Sequence, residues 1–261
     1  MKKIKKAKNL IIQLSFILAI IIGWQLVYNS GRYPELMFPS LGQIFEGLVT
    51  GFTEDGLGAM VLHSLKLILE GLGIGVLLAF VFSGLSAASK SFYAVYNMIV
   101  SVCDLLPGVA LLPLAILWIG IGEGTIIFLV IHSVIWPMSR SLMDGFMATP
   151  RLYIEAGKNI GLNRFSLITG VYIPASFARI LSGVKVGWAR AWRGLISAEM
   201  IFGATSSGSG IGWFISQKRS YMDIPGVFAA LIVIIVIGLV IEYGLFHWIE
   251  KYTVKKWGMT R

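Results

Sequence analysis

Apolar residues fall into long uninterrupted runs along the chain, and these runs are separated by short polar or basic segments. Leu10 to Val27 carries no charge. Eighteen residues at about 1.5 Å each cover roughly 27 Å, close to the hydrocarbon thickness of a bilayer. Further apolar spans run from His63 to Ala88, Phe92 to Ile119, Thr125 to Met143 and Gly226 to Glu250. A sixth, Val184 to Phe202, is interrupted by Lys185, Arg190, Arg193 and Glu199. The pattern predicts an all-α integral membrane protein with about six transmembrane helices. Pro107, Gly108 and Pro113 predict a kink or local unwinding in the third span. A short surface helix is expected after Pro39, within the segment Tyr28 to Leu62.

Basic residues orient the spans. Lys2, Lys3, Lys5, Lys6 and Lys8 precede the first, and Lys251, Lys255, Lys256 and Arg261 follow the last. With six spans both clusters lie inside, together with Lys90, Arg140, Arg151, Lys158, Arg164 and Arg179, and only Arg32, Lys218 and Arg219 stay outside. Five spans would export the C-terminal cluster. The expected organisation is a basic cytoplasmic N-terminus at 1–9, a single membrane domain at 10–250 and a basic cytoplasmic C-terminus at 251–261. A cleaved signal peptide is disfavoured, because the first apolar run exceeds a usual h-region and no small-x-small site follows it.

Composition agrees: 56% of the 261 residues are hydrophobic, 13% are charged, and the mean hydropathy is +0.80. An ordinary soluble enzyme is excluded. The net charge of +9 lies between and beyond the spans, so it does not form a nucleic-acid-binding face. One cysteine, Cys103, allows neither an internal disulfide nor a multi-cysteine metal site.

Between Ala148 and Pro174 lies the longest cytoplasmic loop. Thr149 is suited to cap a short helix, Pro150 to begin it, and Gly161 to end it in the left-handed region. Leu152, Ala156 and Ile160 follow at four-residue steps on one face. Periodicity alone leaves this helix either docked in a partner's groove or lying on its own bundle.

The residues themselves are more specific. Glu155-Ala156-Gly157, three intervening residues, Gly161, nine more, then Val171-Tyr172-Ile173-Pro174 resemble the EAA loop of ABC importer permeases, E-A-A-x3-G-x9-I-x-L-P. Gly157 replaces the second alanine, Val171 the isoleucine and Ile173 the leucine; Gly157 softens the helix by up to about 1 kcal/mol. Phe38-Pro39-Ser40, His63-Ser64-Leu65-Lys66, Leu111-Leu112-Pro113-Leu114, Leu117-Trp118-Ile119-Gly120-Ile121-Gly122 and Ala198-Glu199-Met200 resemble segments of the nitrate, sulfonate and taurine branch of those permeases.

That resemblance implies a type I importer permease fold in a bacterial plasma membrane. Two copies would form the path, two cytoplasmic ATPase subunits would drive it with ATP and magnesium, and an outer binding protein would deliver solute. Glu155, Ala156, Gly157 and Gly161 would couple to the ATPase, and Pro174 would set the turn into the fifth span. The chain itself has no phosphate loop, so no catalytic site, bound cofactor or metal is expected. Gly208 to Gly212 is read as a flexible outer turn rather than a dinucleotide loop.

Charges within spans are expensive and face partners or a watery path. Lys66 and Glu70, four apart, are expected to pair. Arg190 and Arg193, three apart, share a face; Arg193, with Arg190, is the candidate to attract an anionic solute such as a sulfonate, taurine, nitrate or an aromatic acid, with Asp104 or Glu199 holding it when empty. Trp188, Trp192 and Trp213 are read as interface anchors. His63, His132 and His247 are read as core or interface residues. The competing readings are an intramembrane enzyme using Asp104, Asp144, Glu199 and the histidines, and a non-transporting scaffold that recruits an ATPase.

Overall fold

The computed structural model describes residues 2–204 and 208–256, with the backbone alone at 2–7 and 10. The side chains of Lys2, Lys3, Lys5 and Lys6, and Arg261, therefore lie outside the described residues. Helices account for most of the chain: α1 (Lys2–Asn29), α2 (Leu41–Thr53), α3 (Leu57–Ala88), α4 (Lys90–Cys103), α5 (Leu112–Ile119), α6 (Glu123–Met147), α7 (Arg151–Asn159), α8 (Arg164–Leu167), α9 (Ile173–Phe202), α10 (Ile211–Ser220), α11 (Ile224–Leu239) and α12 (His247–Tyr252). Five runs are long and apolar enough to cross a membrane, and the bent pair α4 and α5 makes up to six.

Two compact units are formed, Met1–Gly58 with Phe214–Val233, and Ala59–Trp213 with Ile234–Arg261. In the first, α1 exposes apolar side chains along its span, Ile11, Phe16 and Leu26 among them, as suits a helix bathed in lipid. Its anchor is Trp24, whose Nε1–H donates to the Pro39 carbonyl at 2.9 Å while its ring stacks on Phe38 and meets Phe228 edge-on. The expected helix after Pro39 is α2. It starts with a capping box: the Gln43 N–H donates to Ser40 Oγ at 3.2 Å, and the Ser40 N–H donates to Gln43 Oε1 at 2.7 Å. Lys218 sits between Asp55 and Asp223, at 2.7 and 2.9 Å. Burial alone would pull its ammonium pKa down, but those hydrogen bonds outweigh it and hold the value above the ordinary one.

The second unit is organised on α6 against α9. In lipid, helices associate through close packing rather than by expulsion of water, so small residues at the crossing matter. At Gly183 a Cβ would lie 2.7 Å from the Ser141 Cβ, and at Gly145 it would lie 2.7 Å from that of Ser176. Glycine is needed at both for this approach. Met138, Leu142, Phe146 and Ile180 fill the adjoining core with Ala79 of α3. Trp188 and Trp192 stack at 6.0 Å and are buried, which corrects their reading as interface anchors: hydropathy does not separate a lipid-facing side of a helix from a packed one. Trp213 lies under Gly203, where a Cβ would be 3.2 Å from its ring.

The third span is broken rather than merely kinked. After α4 the chain turns at Pro107, makes a single 3₁₀ turn at Gly108–Leu111 and enters α5, with the two helices bent by 92°. Pro107 lacks an N–H and drives Leu106 out of the α region. The fifth span is longer than its hydropathy indicates, running from Arg164 to Phe202. Pro174 accordingly sets no turn. It lies inside the continuous helical run, directly after a π-helical stretch at Ile168–Tyr172 that links α8 to α9, where the wider register accommodates a residue without an N–H. The chain reverses earlier, at Gly161 to Asn163.

Candidate functional site

Two places bring the sequence candidates together, the short helix α7 and a cavity at the break between α4 and α5. At α7 the helix begins at Arg151 without a side-chain cap, because Thr149 Oγ1 donates back to the Gly145 carbonyl at 3.2 Å instead of capping forward. Its end is as expected: Gly161 has φ +80°, and the Leu162 N–H donates to the Gly157 carbonyl at 3.0 Å. Gly157 is buried on the inner side, where a Cβ would lie 2.8 Å from Leu167 Cδ1 and 3.2 Å from Leu162 Cδ1. Its role is thus one of contact with the returning chain, beyond the softening that helix propensity implies.

The opposite face is open. Leu152 and Ile160 are 71% and 78% exposed, and Glu155 and Ala156 between them are exposed too. A stripe of two large aliphatic side chains flanked by Arg151, Glu155 and Lys158 faces away from the chain's own helices. The helix lies on its bundle through Gly157 and presents Leu152, Ala156 and Ile160 outward.

The cavity, about 350 Å³, is lined by Asp104 to Val109, by His132, Ser133 and Trp136 of α6, and by Arg190, Arg193, Gly194 and Ser197 of α9. Arg190 and Arg193 share one wall, as their spacing predicts. The anion that meets them is Asp104, and it meets Arg190, whose Nη1 hydrogen-bonds Asp104 Oδ1. Arg140 Nε approaches the other oxygen, Oδ2, at 3.5 Å. Arg193 donates from Nε to the Ala189 carbonyl of its own helix, at 2.9 Å. His132 Nε2 and Trp136 Nε1 are buried without a hydrogen-bond partner among the described residues. Such unsatisfied polar atoms cost about 1–3 kcal/mol each.

Glu199 is not part of this cavity. It is 2% exposed and accepts from Ser64 Oγ at 2.7 and 2.9 Å and from the Gly212 N–H at 2.9 Å, while the Ile211 N–H donates to Ser64 Oγ at 3.0 Å. The carboxylate thus sits at the start of α10, where backbone N–H groups favour negative charge. A Cβ on Gly210 would overlap that carboxylate. The reading of Gly208 to Gly212 as a flexible turn is corrected at Gly210 and Gly212, which are packed; Ser206 and Ser207 before them lie outside the described residues.

Sequence reasoning missed Ser64, Arg140 and Lys185. Ser64 stands 135 positions from its partner; the segment His63-Ser64-Leu65-Lys66 marks it by resemblance, but nothing in that segment names Glu199. Arg140, assigned to the basic cytoplasmic side, is an internal residue of α6, and its position seven residues before the helix end is the signal that could have found it. Lys185 reaches Glu250 at 3.3 Å and Glu242 at 3.9 Å. Lys66 and Glu70 pair at 3.8 Å on an exposed face, as expected.

Comparison with known proteins places this geometry. The family of binding-protein-dependent transport system inner membrane components matches residues 71–253. The taurine transport system permease of Escherichia coli K12 is 24% identical over 92% of this chain and 87% of its own length. The nitrate import permease of Synechocystis sp. PCC 6803 is 26% identical over 87% and 83%. An E. coli K12 permease named for aliphatic sulfonate transport is 29% identical over 84% and 82%. The chain belongs to this family, as a multi-pass ABC importer permease subunit of the nitrate, sulfonate and taurine branch. Its helices form the type I permease fold, and subunits of this family are not themselves enzymes.

Proposed function

We propose that the chain carries a small organic or inorganic anion through the cavity at the α4–α5 break, and that α7 transmits the ATPase's closure to that path. Both termini and α7 are cytoplasmic in this reading, an outer binding protein supplies the solute, and two copies of the chain stand above two ATPase subunits that hold ATP and magnesium. The observation that carries it is the outward stripe of α7. Leu152, Ala156 and Ile160 are exposed on a helix fixed from behind by Gly157, so a groove on a partner can take them and push on α9 through the continuous run from Arg164. The relatives' named solutes, taurine, nitrate and aliphatic sulfonates, support an acidic solute, as does a guanidinium at Arg193 without a carboxylate.

The test is purification of the tagged chain from native membranes. An ATP-hydrolysing subunit should accompany the wild type and be lost when Leu152 and Ile160 are both replaced by aspartate. A complex that survives this double substitution contradicts the role given to α7.

A further inference from the structure

Three guanidinium groups and one carboxylate meet at the α4–α5 break. Arg140 comes from α6, Arg190 and Arg193 from α9, and Asp104 from the last turn of α4, three residues before Pro107. The balance is two positive charges in excess, inside a membrane helix bundle where unpaired charge is costly. Asp104 balances one of the three guanidiniums, and its two oxygens are divided, Oδ1 to Arg190 and Oδ2 toward Arg140. Arg193 opens onto the same cavity, and the one described hydrogen bond of its guanidinium is to the Ala189 carbonyl one turn back in α9.

From this arrangement we infer that Asp104 is a resident stand-in for the solute's acid group and the residue that sets solute class. The inference rests on the cavity being the solute path. An arriving anion is met first by Arg193 and then competes with Asp104 for Arg190 and Arg140. To take over both contacts it must present two oxygens on one centre, as a carboxylate, a sulfonate or nitrate does. A halide offers one spherical acceptor and cannot bridge two guanidiniums on separate helices in the same way. A neutral solute brings no charge to replace that of Asp104. The displaced carboxylate sits on the residue that ends α4, whose backbone N–H keeps its bonds to the Val100 and Val102 carbonyls, so what its release frees is the tie from that end to α6 and α9.

The experiment uses the full chain in lipid nanodiscs, in chloride buffer, titrated by calorimetry with methanesulfonate, nitrate, acetate or bromide. At least one of the three oxyanions should bind, and bromide should not. Asp104→Asn removes the competitor and should tighten the best oxyanion at least about tenfold, the scale of one charged hydrogen bond, and Asp104→Glu, which keeps it, should return affinity toward wild type. Arg193→Gln should abolish binding in either background.

Independently of any variant's folding, the infrared difference spectrum of wild type on adding the anion should show a shifted carboxylate stretch. Loss of binding in Arg193→Gln with unchanged or weaker binding in Asp104→Asn overturns the displacement while leaving the path intact. Undiminished binding in Arg193→Gln overturns the path itself. Bromide binding as tight as the best oxyanion, an unshifted carboxylate band, or no binding to either wild type or Asp104→Asn also overturns the inference.

Discussion

Replacing Ser64 with alanine isolates a buried polar contact of the second unit. The hydroxyl does two things at once: it donates to the Glu199 carboxylate and accepts from the Ile211 N–H. Alanine therefore leaves an almost wholly buried carboxylate with the Gly212 N–H as its one donor among the described residues, and strands a buried backbone donor. A lost hydrogen bond to a charged group is worth about 1.5–3 kcal/mol and a stranded neutral donor about 1–3 kcal/mol. Partial relaxation puts the sum at about 2–4 kcal/mol. Unfolding in mixed micelles measures it, and Glu199→Gln with the double variant completes a cycle. Direct partners should couple by about 0.5–3 kcal/mol. A Ser64→Ala variant within about 0.5 kcal/mol of wild type, or strictly additive effects, would refute this account of how α3, α9 and the start of α10 are joined.

Other changes test other joints. Gly161→Ala meets no neighbour within 4 Å, so its cost is the left-handed backbone alone, about 1–2 kcal/mol, and proteolysis around residues 159–163 should accelerate while the spans stay protected. Lys185→Met takes from Glu242 its one described ion-pair partner and leaves Glu250 with Lys255 at 3.9 Å; it should destabilise by about 1 kcal/mol in micelle unfolding, and adding Glu242→Gln should restore most of the loss. At Asp223, burial by itself would raise the pKa, but bonds from Lys218 and the Gly226 N–H hold it below the ordinary 3.8. Stability from Asp223 is thus complete above that ordinary value and lost as pH falls through the lower folded one, whereas that from Lys218 is complete below 10.5 and lost as pH rises through its raised value. Hydrogen exchange at residues 218–226, corrected for intrinsic rates, should be flat between these limits and rise outside them; a change near neutral pH would contradict the pairing.

The spans, the surface helix α2 and the C-terminal end of α7 were legible because each has a local cause: an apolar run, a Ser40–Gln43 box and a glycine in the left-handed region; the cap expected of Thr149 was not, because its hydroxyl turns back to Gly145. The spacing of Arg190 and Arg193 placed them on one wall for the same reason. What could not be read depends on distant partners. Proline at 107 announces a disturbance, but the 92° turn between α4 and α5 is read only once both are seen packed on α6. Pro174 has the same chemistry but does not break the helical run from Arg164 to Phe202, since a π-helical stretch directly precedes it. The pairing of Asp104 with Arg190 and Arg140, and of Glu199 with Ser64, joins residues on separate helices, and spacing within one helix says nothing about them. Tryptophan at 188 and 192 looks the same in sequence whether it meets lipid or another ring.

The central claim is that α7 drives a solute through this chain. Its most direct test is depletion of a defined mixture of sulfonates, taurine, nitrate and aromatic acids by deletion cells carrying wild type, a Leu152→Asp, Ile160→Asp variant at equal membrane level, or no permease, read by mass spectrometry. The account predicts one anion consumed by the wild-type cells alone. An anion consumed equally well by the α7 variant would contradict it.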